Sequence, residues 1–123
     1  MINQQIIKLA SDTSNYGIKK GSNFIATSKN KICGDKIIIQ LEIKKRIIKK
    51  MNYETESCVF CQASASLLSK SIKNKNIDTK SLSKVLNDTI QNKNFKKLLN
   101  IKQRISCVML PFDALQKLIN NTI

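Results

Sequence analysis

The chain has 123 residues, of which 41% are hydrophobic and 24% are charged, a composition typical of one compact domain rather than a disordered segment. We therefore expect a single domain over residues 1–123. The formal net charge is +14, but nearly all of the positive charge is Lys, spread along an Ile- and Asn-rich chain without interleaved aromatic residues. Compositional bias explains that charge better than a nucleic-acid surface does, so nucleic acid is not an expected partner.

The lack of membrane-spanning and signal segments and the number of cysteines indicate the cellular compartment. No apolar run approaches the roughly 20 residues that span a bilayer. The first five residues also lack the basic and apolar regions of a signal peptide. The sequence thus predicts a cytoplasmic protein with no membrane partner. Four cysteines in a reducing compartment indicate metal or redox chemistry rather than a disulfide framework.

The N-terminal half predicts one helix followed by strands. Apolar residues at helical spacing predict an amphipathic helix over residues 2–11, and residues 24–27 predict a first strand. Residues 36–44 carry the clearest strand signal, because apolar side chains alternate with mostly polar neighbours at Ile37, Ile39, Leu41 and Ile43. A turn at residues 44–46 leads into a partner strand over residues 47–55. Together the three strands predict a small antiparallel sheet.

The pattern becomes helical after Cys58. A helical stripe contains Phe60, Ala63, Leu67 and Ser71. Asp78 or Thr79 is a candidate N-cap for a further helix, and residues 74–76 are expected to form a polar loop. We expect Pro111 in the first turn of a last helix, where a missing N–H costs nothing. The order of elements predicts the α+β class, a three-stranded antiparallel sheet with helices packed on one face.

The chain contains no histidine, so a metal site must use thiolates and carboxylates; the four thiols are Cys33, Cys58, Cys61 and Cys107. Cys33 is followed by Gly34 and Asp35. Glycine permits a tight bend, which could turn the thiolate and the carboxylate toward one point as ligands for zinc or iron. The alternative is that Cys33 is a small buried hydrophobe.

Two further cysteines lie where predicted elements meet. Cys58 opens a predicted helix, whose N–H groups and dipole favour the thiolate that binds metal or attacks sulfur. With Cys61 it also forms a Cys-x-x-Cys pair, which fits a thioredoxin-like site, although that fold needs a helix between parallel strands. Cys107 precedes the helix predicted at Pro111. Spacing alone does not reveal whether these thiols converge.

Three cysteine segments, in this order, resemble the NifU/IscU/SufU family of iron–sulfur cluster scaffolds. They are residues 33–37 (Cys-Gly-Asp-Lys-Ile), residues 57–68 with an Ala-Ser-Ala-Ser run after Cys58, and residues 104–110 with an arginine three residues before Cys107. The resemblance extends over nearly the whole chain. It also includes an N-terminal loop with Asn15 and Gly17.

The resemblance implies a function and a set of site residues. Cys33, Cys58 and Cys107 would hold a transient [2Fe–2S] cluster or a Zn²⁺ ion, and Cys58 and Cys107 are the candidate sulfur acceptors. Asp35 would be the fourth ligand of zinc, or would keep a cluster labile. The implied partners are a cysteine desulfurase that delivers persulfide sulfur and apoproteins that accept the cluster.

Departures from the family pattern leave the function open. Ser106 stands where members carry histidine or lysine, and Cys61 is additional, with a packing thiol and a replacement ligand as its alternatives. The leading hypothesis is a non-enzymatic cluster scaffold. The second is a zinc-dependent sulfur acceptor that stimulates a desulfurase, which would make the protein a sulfurtransferase. The third is a basic binding module with a structural zinc.

Overall fold

The computed structural model describes residues 4–19, 24–30, 34–100 and 105–122. The elements in chain order are α1 (Gln4–Ser11), β1 (Ile25–Lys29), β2 (Lys36–Lys44), β3 (Ile47–Glu56), α2 (Val59–Ser71), β4 (Lys75–Asn76), α3 (Thr79–Ile90), α4 (Lys93–Leu99) and α5 (Ile105–Thr122). The predicted α+β class is confirmed. Among the described residues, no helix is long and apolar enough to cross a membrane.

The sheet is antiparallel with the order β1-β2-β3-β4, so it has four strands where the sequence predicts three. The additional strand, β4, has only two residues and lies in the predicted polar loop, where no alternation can develop. It pairs with Ile47 and Ile48 at the start of β3. Two backbone bonds secure it, from the Asn74 N–H to the Ile48 carbonyl (2.6 Å) and from the Ile77 N–H to the Arg46 carbonyl (2.7 Å).

The core lies between one face of the sheet and helices α2 and α5. On this face Ile39 pairs with Tyr53, and Leu41 pairs with Met51; all four are buried. Burying each such side chain stabilises the fold by about 1.5–3 kcal/mol. The opposite face carries more polar pairs, so the alternation in β2 decides which face the helices cover.

The loop after α1 closes the edge of β3 that β4 leaves open. The Gly17 N–H donates to the Tyr53 carbonyl (2.8 Å), and the Tyr53 N–H donates to the Asn15 carbonyl (3.2 Å). Gly17 has a φ of 111°, which favours glycine. The Asn15 amide also donates to the Ser69 hydroxyl (3.0 Å), so this loop joins α2 to the sheet.

Helix α5 differs from the prediction, because Pro111 lies inside it rather than in its first turn. A proline within a helix lacks the N–H that would donate to the carbonyl four residues earlier, here that of Cys107. In the same turn the buried Ser64 hydroxyl donates to the Val108 carbonyl at 2.6 Å. Ser64 thus joins α2 to α5 at the carbonyl next to the one whose helical donor Pro111 removes. Cys107 therefore belongs to the first turn of a helix and not to a junction before one.

We expect Ser64→Ala to lower the free energy of unfolding by about 1–3 kcal/mol, because the variant leaves a buried carbonyl without its hydroxyl donor. Ser71→Ala is the matched control on the same helix, since the partly exposed Ser71 hydroxyl bonds only to the Leu67 carbonyl one turn earlier. The control should change stability by no more than about 0.5 kcal/mol. Urea denaturation of both variants makes the comparison, and equal effects would contradict the role of the Ser64 bond.

Candidate metal centre

The loop between β1 and β2 places Asp35 at the start of β2. Gly34 has a φ of 73°, and no atom lies within 4 Å of where its Cβ would be, so backbone conformation rather than crowding requires glycine. The Gly34 N–H donates to the Asn30 carbonyl, and the Asn30 N–H donates to the Asp35 carbonyl, both at 2.8 Å. These bonds close the loop and hold Asp35, which is 8% exposed. Cys33 lies outside the described residues.

Cys58 is the N-cap residue of α2, with an extended backbone (φ −76°, ψ 170°). Its side chain makes no capping hydrogen bond, and it is half-buried. Instead the Cys58 Sγ lies 3.9 Å from the Asp35 Oδ2. The end of β3 and the start of α2 thus direct this sulfur toward the carboxylate at the start of β2.

Cys107 is buried in the first turn of α5 and is fixed through both of its neighbours in the chain. On one side the Ser106 hydroxyl accepts a hydrogen bond from the Asn30 Nδ2 (2.9 Å). On the other side the Val108 carbonyl accepts from Ser64. The first bond ties Cys107 to the loop that carries Asp35, and the second ties it to the helix that Cys58 opens.

Asp35, Cys58 and Cys107 converge, with one ligand atom from each lying within 4.8 Å of the other two. In the described part of the chain, no other three Cys, Asp or Glu side chains form such a group. Around one tetrahedral zinc ion, with bonds of about 2.0–2.3 Å, donor atoms lie roughly 3.3–3.8 Å apart. The two sulfurs and the carboxylate oxygen lie within 4.8 Å of one another. They therefore fit one zinc or iron ion if they move closer together by at most about 1 Å.

Cys61 does not belong to this group of donors. Its side chain is fully buried, 3.9 Å from the Thr55 hydroxyl, and burial raises the pKa of its thiol to about 11. A neutral thiol inside the core is a packing group, and Cys61 lies in the cluster of buried core residues. The structure thus favours the packing alternative over the replacement ligand.

Sequence reasoning missed two residues at this centre, Asn30 and Ser64. Asn30 lies three residues after the predicted first strand. Its polarity is the only property that marks it in the sequence, and its neighbours share that property. In the sequence, Ser64 is one member of the Ala-Ser-Ala-Ser run after Cys58, whose small side chains would let a helix pack closely on a neighbour. Its hydrogen bond depends on where α5 lies, which the sequence leaves undefined.

Comparisons with known proteins agree on a family. A family model described as the NifU-like N terminal domain matches residues 1–122. The chain is 29% identical over 116 residues to the zinc-dependent sulfurtransferase SufU of Bacillus subtilis (strain 168), covering 84% of this chain and 78% of that protein. It is 32% identical over 68 residues to the iron–sulfur cluster assembly scaffold protein IscU of Thermotoga maritima, covering 55% and 48%.

The fold is also similar to that of a solved structure. A putative iron–sulfur cluster assembly scaffold protein for the SUF system, from Fervidobacterium islandicum AW-1, superposes with a TM-score of 0.82. The match covers 96% of each chain at 20% sequence identity. At that identity the likeness establishes the fold.

Thiol accessibility should separate Cys58 from Cys61. In metal-free, reduced protein at pH 8–9 we expect iodoacetamide to modify the half-buried Cys58 and to leave Cys61 unmodified. A pKa of about 11 leaves only about 1% of the Cys61 thiol ionised at pH 9. Peptide mass spectrometry measures both sites, and the same reaction in guanidinium provides the control in which both thiols react. Equal rates in the native protein would contradict the buried position of Cys61.

Gly34 should be required for its backbone conformation. We expect Gly34→Ala to lower the free energy of unfolding by about 1–2 kcal/mol, because an alanine at this positive φ is strained even with open space around it. Gly34→Asn is the matched variant, since asparagine tolerates this conformation better. Urea denaturation should rank the variants wild type, Asn, Ala in falling stability. An alanine variant as stable as wild type would show that the loop does not need this φ.

Proposed function

The chain belongs to the family described as the NifU-like N-terminal domain, and on that basis we propose that it accepts sulfur for iron–sulfur cluster assembly at a site that holds one zinc ion. The observation that carries the proposal is the convergence of Asp35, Cys58 and Cys107 within 4.8 Å. The spacing suits a single ion, and the similarity to a zinc-dependent sulfurtransferase over most of the chain supports the same conclusion.

In this proposal Cys33, Asp35, Cys58 and Cys107 are the four ligands. Three thiolates and a carboxylate complete the tetrahedral set that zinc prefers, and the chain has no histidine to offer in their place. Bound zinc would keep the thiols deprotonated at neutral pH. The tight turn at Gly34 would present Cys33 and Asp35 to the same ion from either side of one residue.

Cys58 is the proposed sulfur acceptor. It is half-buried whereas Cys107 is buried, so an incoming sulfur donor meets Cys58 first. Its sulfur also lies at the N-terminal end of α2, where backbone N–H groups stabilise negative charge. The Cys58 thiolate attacks the terminal sulfur of a persulfide on a cysteine desulfurase. The sulfur–sulfur bond of that persulfide breaks, its electron pair leaves on the desulfurase cysteine, and Cys58 carries the transferred sulfur.

A cluster scaffold is the second candidate, because the chain is also similar to an IscU scaffold over 68 residues. The same thiolates would then hold a [2Fe–2S] unit and pass it to an acceptor apoprotein. Thiolates bound to different irons lie farther apart than ligands of one ion, so the pocket would have to widen. This requirement makes the single-ion site the better match to the spacing.

Metal analysis of protein purified without oxygen tests the proposal. We expect close to one zinc per chain and no acid-labile sulfide, and we expect Asp35→Ala and Cys58→Ser to lose most of the zinc. Cys61→Ala is the matched control, since Cys61 lies outside the donor set, and it should retain zinc. Addition of wild-type protein should speed a cysteine desulfurase, whereas Cys58→Ser should not.

Two results would overturn the proposal. Iron and sulfide in equal amounts would favour the scaffold. Metal-free wild-type protein that stimulates the desulfurase as strongly as a zinc-loaded sample would reject a zinc site.

A further inference from the structure

We infer that Asn30 and Ser106 act as positioning residues, whose hydrogen bond holds the Asp35 loop against Cys107 so that the donor atoms are in place before metal arrives. The inference concerns how the site is built. It rests on the proposed function only in assuming that metal binds there. Ser106, in this assignment, is not a ligand but the point on α5 to which the loop is attached.

Asn30 contacts the site through its backbone and through its side chain. Its backbone closes the loop, since its N–H donates to the Asp35 carbonyl and its carbonyl accepts from the Gly34 N–H. Its side chain leaves the loop and donates from Nδ2 to the Ser106 hydroxyl, 76 residues later in the chain. Asn30 is 8% exposed whereas Ser106 is exposed, so the donor is shielded from water and the acceptor is not. Asn30 therefore connects the short segment that carries Asp35 directly to α5.

Ser106 and Cys107 are adjacent in α5 but contact different parts of the site. Neighbouring residues in an α-helix point about 100° apart, so one can contact the loop while the next faces the site. The Ser106 hydroxyl is engaged by Asn30, and the Cys107 sulfur lies with Asp35 and Cys58. A neutral serine hydroxyl is also not among the usual ligands of zinc, so we assign Ser106 to holding the loop and not to binding the metal.

Fixing the loop should raise metal affinity. Without the two backbone bonds and the Asn30 side chain, the Asp35 carboxylate would have to be positioned when metal binds, and that ordering would weaken binding. Groups that orient metal ligands through hydrogen bonds are typically worth about 10–100-fold in affinity. The Asn30–Ser106 bond does not involve a donor atom and would act through the backbone of Asp35 and Cys107, so we expect an effect at the lower end of this range.

Zinc affinity, measured by chelator competition on the full chain, tests the inference. We expect Asn30→Ala and Ser106→Ala each to weaken zinc binding about tenfold, and the double variant to bind no more weakly than the weaker single variant, because both remove one bond. Ser106→Thr keeps a hydroxyl and should bind within about threefold of wild type. Gln116→Ala is the matched control, since it removes an exposed side-chain bond to Asn120 on the same helix.

Hydrogen exchange of metal-free protein supplies a readout that does not need zinc. We expect the amides of Asn30 and Gly34, which close the loop, to exchange about fivefold faster in Ser106→Ala than in wild type or Gln116→Ala. Unchanged exchange in these residues, or additive losses of zinc affinity in the double variant, would overturn the inference. Wild-type protein that binds no zinc would reject the proposed function, and the exchange comparison would still decide whether Asn30 and Ser106 hold the loop.

Discussion

Helices α2 and α5 meet where Ser64 donates its hydroxyl hydrogen to the Val108 carbonyl. The contact is buried, as are Ala63 and Ala65 on either side of Ser64. It lies one residue from Cys107 and on the helix that Cys58 opens, so the separation of the two sulfurs depends on it. Loss of this contact would disturb α5 and the candidate metal centre together.

Local patterns predict those parts of the fold that local interactions determine. Alternation in residues 36–44 gives the bounds of β2 because burial of one face leaves only one acceptable register. Of the two predicted candidates, Asp78 and Thr79, Asp78 is the N-cap of α3, since its carboxylate accepts from the Lys80 N–H two residues away. By contrast, β4 is held by pairing with a distant strand, and two residues carry no periodic signal. The start of α5 differs from the prediction because proline usually marks the first turn of a helix, whereas here the helix begins at Ile105 and buries Cys107, Val108 and Leu110 before it reaches Pro111.

The candidate site divides in the same way. The bend at Gly34 and the position of Cys58 at the start of a helix follow from the residues themselves. That Asp35, Cys58 and Cys107 share one pocket depends on how the sheet, α2 and α5 pack, and only the family resemblance suggested it from the sequence. Asn30 could not be predicted from local sequence, because its side chain bonds to a partner 76 residues away. An asparagine after a strand is common in loops of any kind.

The contribution of α5 to the centre has a consequence for the chain during its synthesis. Asp35 and Cys58 emerge from the ribosome well before Cys107, which lies 49 residues after Cys58. Until α5 has been made and packed, Asp35 and Cys58 lack the Cys107 sulfur and the hydrogen bond from Asn30 to Ser106, which complete the group of donors. A nascent or truncated polypeptide would thus retain metal poorly, and tight capture would be confined to molecules whose translation has passed the last donor.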